Sequence, residues 1–208
     1  MRKSKSGFTL VEILVAMVIL ITIIGLATFL YVRAARIRKL ISYQNDIASV
    51  LNSMATIVAD GDRTTTGLKW ADDVANPETA AYDLFLYDRS KGETVFYRIA
   101  PGMYAGSPSA LPTTDTDTTL WQATGNGAVP ARNSGQWKSL DLNKKVILGS
   151  GSSFRYFNSK NEPVDNVSSE TITSVQITLR GLTTDPGLAG RPPIVLQTLV
   201  RLRNKLSF

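Results

Sequence analysis

The stretch Ile13 to Val32 contains no charged residue. At a helical rise of about 1.5 Å per residue it is long enough to cross a hydrocarbon layer of roughly 30 Å. One carboxylate, Glu12, stands at its lip. An ionisable group at the edge of a membrane span is costly, which marks Glu12 as a candidate functional residue. Ahead of it, Met1 to Gly7 form a short polar leader carrying Arg2, Lys3 and Lys5.

A secretory signal peptide also begins with basic residues and an apolar stretch. Its stretch, however, runs to about 7–15 residues and is followed by a small-x-small cleavage site. Here the run is longer and is followed by Arg33-Ala34-Ala35-Arg36, and the small residues of Gly25-Leu26-Ala27 lie inside it. A plain single-pass anchor accounts for Ile13 to Val32 but leaves Gly7-Phe8-Thr9-Leu10-Val11-Glu12 without a purpose. Charge does not orient the span. The positive-inside rule is met by Arg2, Lys3 and Lys5 on one flank and by Arg33, Arg36, Arg38 and Lys39 on the other.

The helix is expected to continue past Val32. Ile37, Leu40, Ile41, Ile47, Ala48, Leu51, Met54, Ala55 and Val58 recur at steps of three and four, the period of an amphipathic helix. No proline lies between Phe8 and Ala59, so nothing forces a break. Asp60-Gly61-Asp62 supplies the stop, with Gly61 as a left-handed cap. The expectation is one helix of roughly 50 residues, about 75–80 Å long, with its first half in lipid and its second half laid on a domain as core packing.

The segment Gly7 to Glu12, set between a basic leader and an apolar helix, resembles the start of type IV prepilin-like proteins, the subunits of type IV pili and of type II secretion pseudopili. The resemblance implies that a prepilin peptidase cuts between Gly7 and Phe8. It implies that Phe8 is then N-methylated and that Glu12 pairs with the amino terminus at Phe8 of an adjacent subunit during assembly. It also orients the chain, with the leader in the cytoplasm of a bacterial cell, a single pass through the inner membrane and the C-terminal domain in the periplasm, later moving into a filament. Loss of Arg2, Lys3 and Lys5 with the leader takes the formal charge from +6 to +3, a thin basis for a nucleic-acid partner. Major type IV pilins usually carry a helix-kinking proline where this chain has Phe29, which tilts the resemblance toward a minor pilin or pseudopilin.

The implied fold class is α+β, a pilin fold with a long N-terminal helix on an antiparallel β-sheet domain. The expected divisions are leader 1–7, membrane or filament-core helix 8–32, amphipathic helix 33–60 and β-rich domain 61–208. Residues 63–81 read as polar connection with a short helix near Trp70 to Val74. Asp83 to Asp88 and Glu93 to Ile99, joined by Arg89-Ser90-Lys91-Gly92, read as a hairpin. Ala100 to Gln136 holds four prolines and a threonine-rich run and reads as one long polar loop, a feature often functional in a compact domain. Within it Asp115 and Asp117 are spaced like the start of a calcium loop, but the glycine and distal glutamate of an EF-hand are missing. Strands are expected at Lys145 to Gly149, Ser153 to Asn158, Thr171 to Leu179 and Ile194 to Leu202, with Gly181 to Pro193 as a connection. The strands around Phe154-Arg155-Tyr156-Phe157-Asn158 and the C-terminus are similar to those of J-type minor pseudopilins and of related minor pilins.

Catalysis has little to draw on. The chain has no histidine and no cysteine, which removes the commonest general base, the commonest nucleophile–base pairs, disulfides and cysteine metal ligands. Gly149-Ser150-Gly151-Ser152-Ser153 lacks the lysine of a phosphate loop. No cofactor and no metal site are expected. The reading is a non-enzymatic filament subunit whose partners are other pilins or pseudopilins, the prepilin peptidase and the membrane. A DNA-binding or adhesive surface would fall on the 100–136 loop or among Arg180, Arg191, Arg201 and Arg203.

Overall fold

The computed structural model describes residues 9–75, 81–103, 105–108, 116–164, 172–188 and 190–202. The chain falls into two compact units, Met1–Asn45 and Asp46–Phe208. Helix α1 spans Leu10–Asp60, as the unbroken periodicity and the absence of proline dictate. It stops where expected. Gly61 has φ +83°, a left-handed conformation that costs glycine nothing, and its N–H donates to the Ile57 carbonyl at 2.9 Å. The last carbonyls of a helix have no partner within it. Here those of Val58 and Ala59 accept from Leu68 N and Lys69 N, at 2.8 and 2.9 Å.

In the first unit the large apolar side chains of α1, from Leu10 through Val32, are exposed on every side. In the second unit the helical stripe is buried: Ile47, Leu51, Met54, Ala55 and Val58 all lie in the core. The stripe read from sequence begins earlier, yet Ile37 and Ile41 remain half exposed. Helical spacing marks which face is apolar, not how far the sheet beneath it extends.

The antiparallel β-domain is built of two sheets. Strands β1 (Asp73–Ala75), β2 (Asp83–Asp88), β3 (Glu93–Ala100), β4 (Thr119–Gly125) and β5 (Lys138–Ser139) follow one another in a meander. Strands β6 (Val146–Leu148), β7 (Ser153–Phe157), β8 (Ser174–Thr183) and β9 (Ile194–Arg201) form the second sheet. In it, β6 and β7 pair with successive parts of β8, and β9 pairs with β8 along its length. Backbone bonds from Leu148 N to Thr118 O and from Phe154 N to Ala81 O, both 2.8 Å, join the sheets.

The hairpin of β2 and β3 forms in the register Asp83↔Arg98 to Asp88↔Glu93. Side chains alternate faces along a strand, and both faces of this sheet are used. One carries Phe85, Phe96, Ala123, Trp121 and Trp137 as an aromatic core, with Phe85 and Phe96 edge to face at 5.0 Å. On the same face Arg98 and Asp83 form a buried two-pronged ion pair, Nε to Oδ1 at 2.6 Å and Nη2 to Oδ2 at 3.1 Å. The Arg98 guanidinium also stacks over the Trp137 ring at 5.4 Å. Buried charges survive only when paired and hydrogen-bonded, so removing either partner strands the other. The opposite face holds Leu84, Leu86, Val95, Tyr97, Ile99 and Leu120, all buried. It meets the helix, where the Tyr97 hydroxyl donates to the Ile57 carbonyl at 3.2 Å.

Three sequence expectations need correction. Residues 70–74 contain no short helix; the chain turns at 68–70 and enters β1 at Asp73. The 100–136 region is not a single loop. β4 runs through it and pairs with β3 over seven residue pairs, and Trp121 is buried with its indole N–H on the Ala100 carbonyl at 3.0 Å. Nor is Gly181 part of a connection: β8 continues through Thr183. β9 is as expected, with Val200 and Leu202 buried while Val195, Leu199 and Arg201 face out.

Two carboxylates that pin turns are tuned by their hydrogen bonds. The Ser90 hydroxyl, then the Thr66 hydroxyl, hold the Asp88 carboxyl below its ordinary pKa, outweighing partial burial. For Asp62, partial burial acts upward but is outweighed by bonds from Thr64 and Thr65. A carboxylate with a depressed folded pKa contributes stability above its unfolded value and loses it as pH falls through the folded value. The melting temperature is therefore expected to fall as pH drops below the ordinary aspartate range near 4. Asp88→Asn is expected to melt lower than the parent at pH 7 and to lose less on acidification. Parallel thermal melts between pH 7 and pH 2 measure both, and an unchanged pH slope in Asp88→Asn would refute the assignment.

Candidate assembly site at the helix N-terminus

The start of α1 is closed by its own side chains. The Thr9 N–H and the Thr9 hydroxyl both donate to Glu12 Oε2 at 2.9 Å, and Glu12 N donates back to Thr9 Oγ1 at 3.3 Å. This is a reciprocal capping box, Thr9 at the cap and Glu12 three residues on, satisfying donors that the first helical turn leaves free. A carboxylate here also sits at the positive end of the helix dipole. Glu12 is exposed, held by a local bond and open to a second partner. Gly7 and Phe8, the residues of the expected cleavage and N-methylation, lie outside the described residues.

Behind the cap, the exposed apolar surface carries few polar groups, and its two threonine hydroxyls are internally satisfied. The hydroxyls of Thr22 and Thr28 donate to the carbonyls of Val18 and Ile24, four residues back, each at 2.8 Å. That arrangement leaves neither threonine hydrogen seeking water, as a lipid or protein interior requires. Among the described residues α1 is the one helix long and apolar enough to cross a membrane, and its most apolar window is entirely unburied within the chain.

Among the described residues, the other sequence-selected positions are not brought together into a site. Asp115 lies outside the described residues. The Asp117 carboxylate accepts from Gly102 N at 3.0 Å, which closes the loop after β3. Among the described residues no group of three or more acidic or metal-binding side chains is gathered to hold a metal. Arg180 pairs with Val195, and Arg201 pairs with Ser174 six positions along β8, a separation of about 20 Å along the strands. Arg191 is exposed, and Arg203 lies outside the described residues. Arg180 and Arg201 thus lie well apart on the second sheet. The capping role of Thr9 was missed from sequence, although a threonine three residues before a glutamate at the head of an apolar run is its signal.

The prokaryotic N-terminal methylation motif matches residues 2–28, the segment that contains Gly7, the capping box and most of the apolar run. With the long apolar helix behind it, this motif supports a type IV pilin-like prepilin protein. The helix on antiparallel sheets is the α+β architecture of the pilin fold. No curated protein and no solved structure matches the chain.

Proposed function

We propose that this chain is a non-enzymatic minor subunit of a type IV pilus-like filament, acting at or near the tip. The observation that carries the pilin reading is the methylation motif over residues 2–28 joined to a helix whose apolar surface finds no cover within its own unit. Before assembly that surface is covered by lipid, and after it by neighbouring helices. Cleavage between Gly7 and Phe8 exposes a new amino terminus, which is N-methylated. Glu12 then meets the terminus at Phe8 of a neighbour. A charge buried alone costs several kcal/mol, so correct axial register is favoured over slipped ones.

The minor, tip-proximal position is supported by Phe29 in place of the usual proline and by the long stretches of chain between β3 and β4 and between β4 and β5, which a tightly repeating lattice would have to accommodate in every copy. A J-type minor pseudopilin of a type II secretion system uses the same chemistry and is the second reading, favoured by the C-terminal strand pattern. Neighbouring genes for a secretin and secretion ATPase, as against pilus genes, separate the two.

The test has two parts. Mass spectrometry of the assembled protein is expected to show a chain starting at N-methylated Phe8; an assembled chain that still begins at Met1 overturns the prepilin reading of Gly7 and Phe8. Sheared filaments are expected to contain few copies of this chain. If it dominates the sheared fraction, it is the bulk subunit and the tip assignment falls.

A further inference from the structure

Strand β9 is a free edge. In the second sheet β8 pairs with β9 on one side and with β6 and β7 on the other, and the bonds from Leu148 N and Phe154 N tie β6 and β7 to the first sheet. Two bonds fix which way the backbone of β9 points. Leu202 N donates to Thr173 O at 2.9 Å, while the Arg180 carbonyl accepts from Gly149 N at 2.7 Å on the opposite side of β8. With the register Ser174↔Arg201 to Gly181↔Ile194, the even-numbered residues of β9 turn N–H and C=O toward β8. Val195, Gln197, Leu199 and Arg201 turn theirs away, and among the described residues no backbone bond reaches these four from that side. Proteins usually blunt such an edge with a short strand, a bulge, proline or charge. β1 has three residues, and β5 has two, one of them Lys138. β9 has eight in continuous register, and Ile194 to Val200 contains no charge, proline or glycine.

A cavity of about 290 Å³ opens beside the middle of this edge, between Asn52, Ala55, Thr56 and Ala59 of α1 and Leu196 to Thr198 of β9. The Gln197 side chain belongs to the outer face, so Gln197 meets the cavity with its backbone. The inward side chains of β9 record the same gap: Val200 is buried, but Leu196 and Thr198 are only half-buried. An added strand finds bonding groups along one side and room for its inward side chains beneath. An extended peptide supplies donors and acceptors alternating at the strand repeat, whereas nucleic-acid phosphates supply acceptors alone and leave the outward carbonyls unmet. Charge narrows the choice further. The outer face carries Arg155, Arg180 and Arg201, and β7, β8 and β9 contain no carboxylate. Lys69, which lines the cavity, is already paired with Asp60. We propose that β9 takes up an extended segment of another protein as a further antiparallel strand. A carboxylate of that segment stands opposite Arg201, and apolar side chains cover Leu199 and Val195, which are 50% and 58% exposed. The contact uses no residue of the N-terminal assembly site and is independent of the pilin reading.

The probe is acetyl-Gly-Glu-Ala-Val-Val-Thr-Ser-Val-Gly-amide, added to the full chain in detergent and followed by backbone amide chemical shifts. In the antiparallel register its glutamate stands opposite Arg201. Its first valine, threonine and last valine stand opposite Leu199, Gln197 and Val195. The peptide is expected to shift the amides of these four residues saturably. N-methylation of the first valine and the threonine removes two donors to β9 and is expected to weaken binding about tenfold or more. N-methylation of the second valine and the serine, whose N–H groups point away from β9, is expected to leave binding within about threefold of the unmodified peptide. On the protein, Gln197→Pro removes an outward N–H and none that pairs with β8, a place an edge strand tolerates proline. It is expected to keep the fold and to weaken binding about tenfold. Arg201→Glu leaves the backbone intact. It is expected to bind the glutamate peptide severalfold more weakly and to prefer the same peptide with lysine in that position. No saturable shift, equal binding by the two methylated peptides, or an unchanged charge preference in Arg201→Glu overturns the proposal. A chain ending at Leu202 that binds about tenfold tighter than the full chain assigns the edge to the residues after Leu202. A parent dimer that Gln197→Pro dissociates assigns it to a second copy, and either result overturns the proposal.

Discussion

Gly181→Val is expected to unfold the β-domain at temperatures where the parent is native. Gly181 lies on β8 on the same face as Val175, Ile177 and Leu179, which are all buried. A Cβ at this position would stand 2.7 Å from Ile47 Cγ2, 3.0 Å from Leu51 Cδ1 and 3.2 Å from Val146 Cγ1. The first of these is a methyl on a β-branched residue in a helix, where one χ1 rotamer dominates, so it cannot swing aside. The clash must be relieved by moving α1 off the sheet. Overpacking a dense core costs about 1–3 kcal/mol for a small addition, which is the range expected for Gly181→Ala. Valine adds two methyls to the same gap and should exceed it. For a chain of this size each kcal/mol lowers the melting temperature by about 2–4 °C. Thermal melts of the full chain in detergent, ordered parent, Ala, Val, measure the effect. A valine variant that melts with the parent would mean that α1 is not seated on β8 as described.

Gly181 also shows where the sequence was and was not legible. The alternation through Val175, Ile177 and Leu179 announces a strand, and glycine then reads as its end, because a residue without a side chain adds nothing to an apolar pattern. Its purpose lies in Ile47 and Leu51, 134 and 130 residues earlier, and no local window contains both ends of that contact. β4 was hidden for a different reason. Thr119-Leu120-Trp121-Gln122-Ala123 is buried on both faces, one against the aromatic core and one toward the helix, so it shows no clean alternation. Its flanks are rich in proline and threonine and set the tone of the whole region. The long helix, the β2–β3 hairpin and the inward face of β9 were readable because each carries its period in its own residues. At the N-terminus, Glu12 stood out as a lone charge beside an apolar run. Its bond to Thr9 needs only local spacing, Thr9 standing three residues before Glu12.

The capping box makes the proposed assembly role of Glu12 separable from its local one. Glu12→Ala would remove both the carboxylate and the cap, and a loss of filament incorporation could then come from a frayed helix start. Glu12→Gln is the discriminating change. Glutamine serves at this position of a capping box as glutamate does, so the bonds to Thr9 can persist while the charge is gone. Thr9→Val is the converse: it removes the hydroxyl that bonds Glu12 but keeps the carboxylate, at a cost of about 1 kcal/mol to the helix start. If Glu12 neutralises the amino terminus of a neighbour, Glu12→Gln leaves that terminus buried and unpaired. Stranding one charge of a buried pair costs about 3–5 kcal/mol, equivalent to a loss of roughly two to four orders of magnitude in equilibrium incorporation. Thr9→Val is expected to assemble within about tenfold of the parent. The measurement is the copy number of each variant in sheared filaments relative to its membrane pool, with the mass of the N-terminus checked to show that processing is intact. A Glu12→Gln variant that enters filaments as the parent does, while Thr9→Val fails, would assign Glu12 to capping alone and remove the intersubunit ion pair from the mechanism.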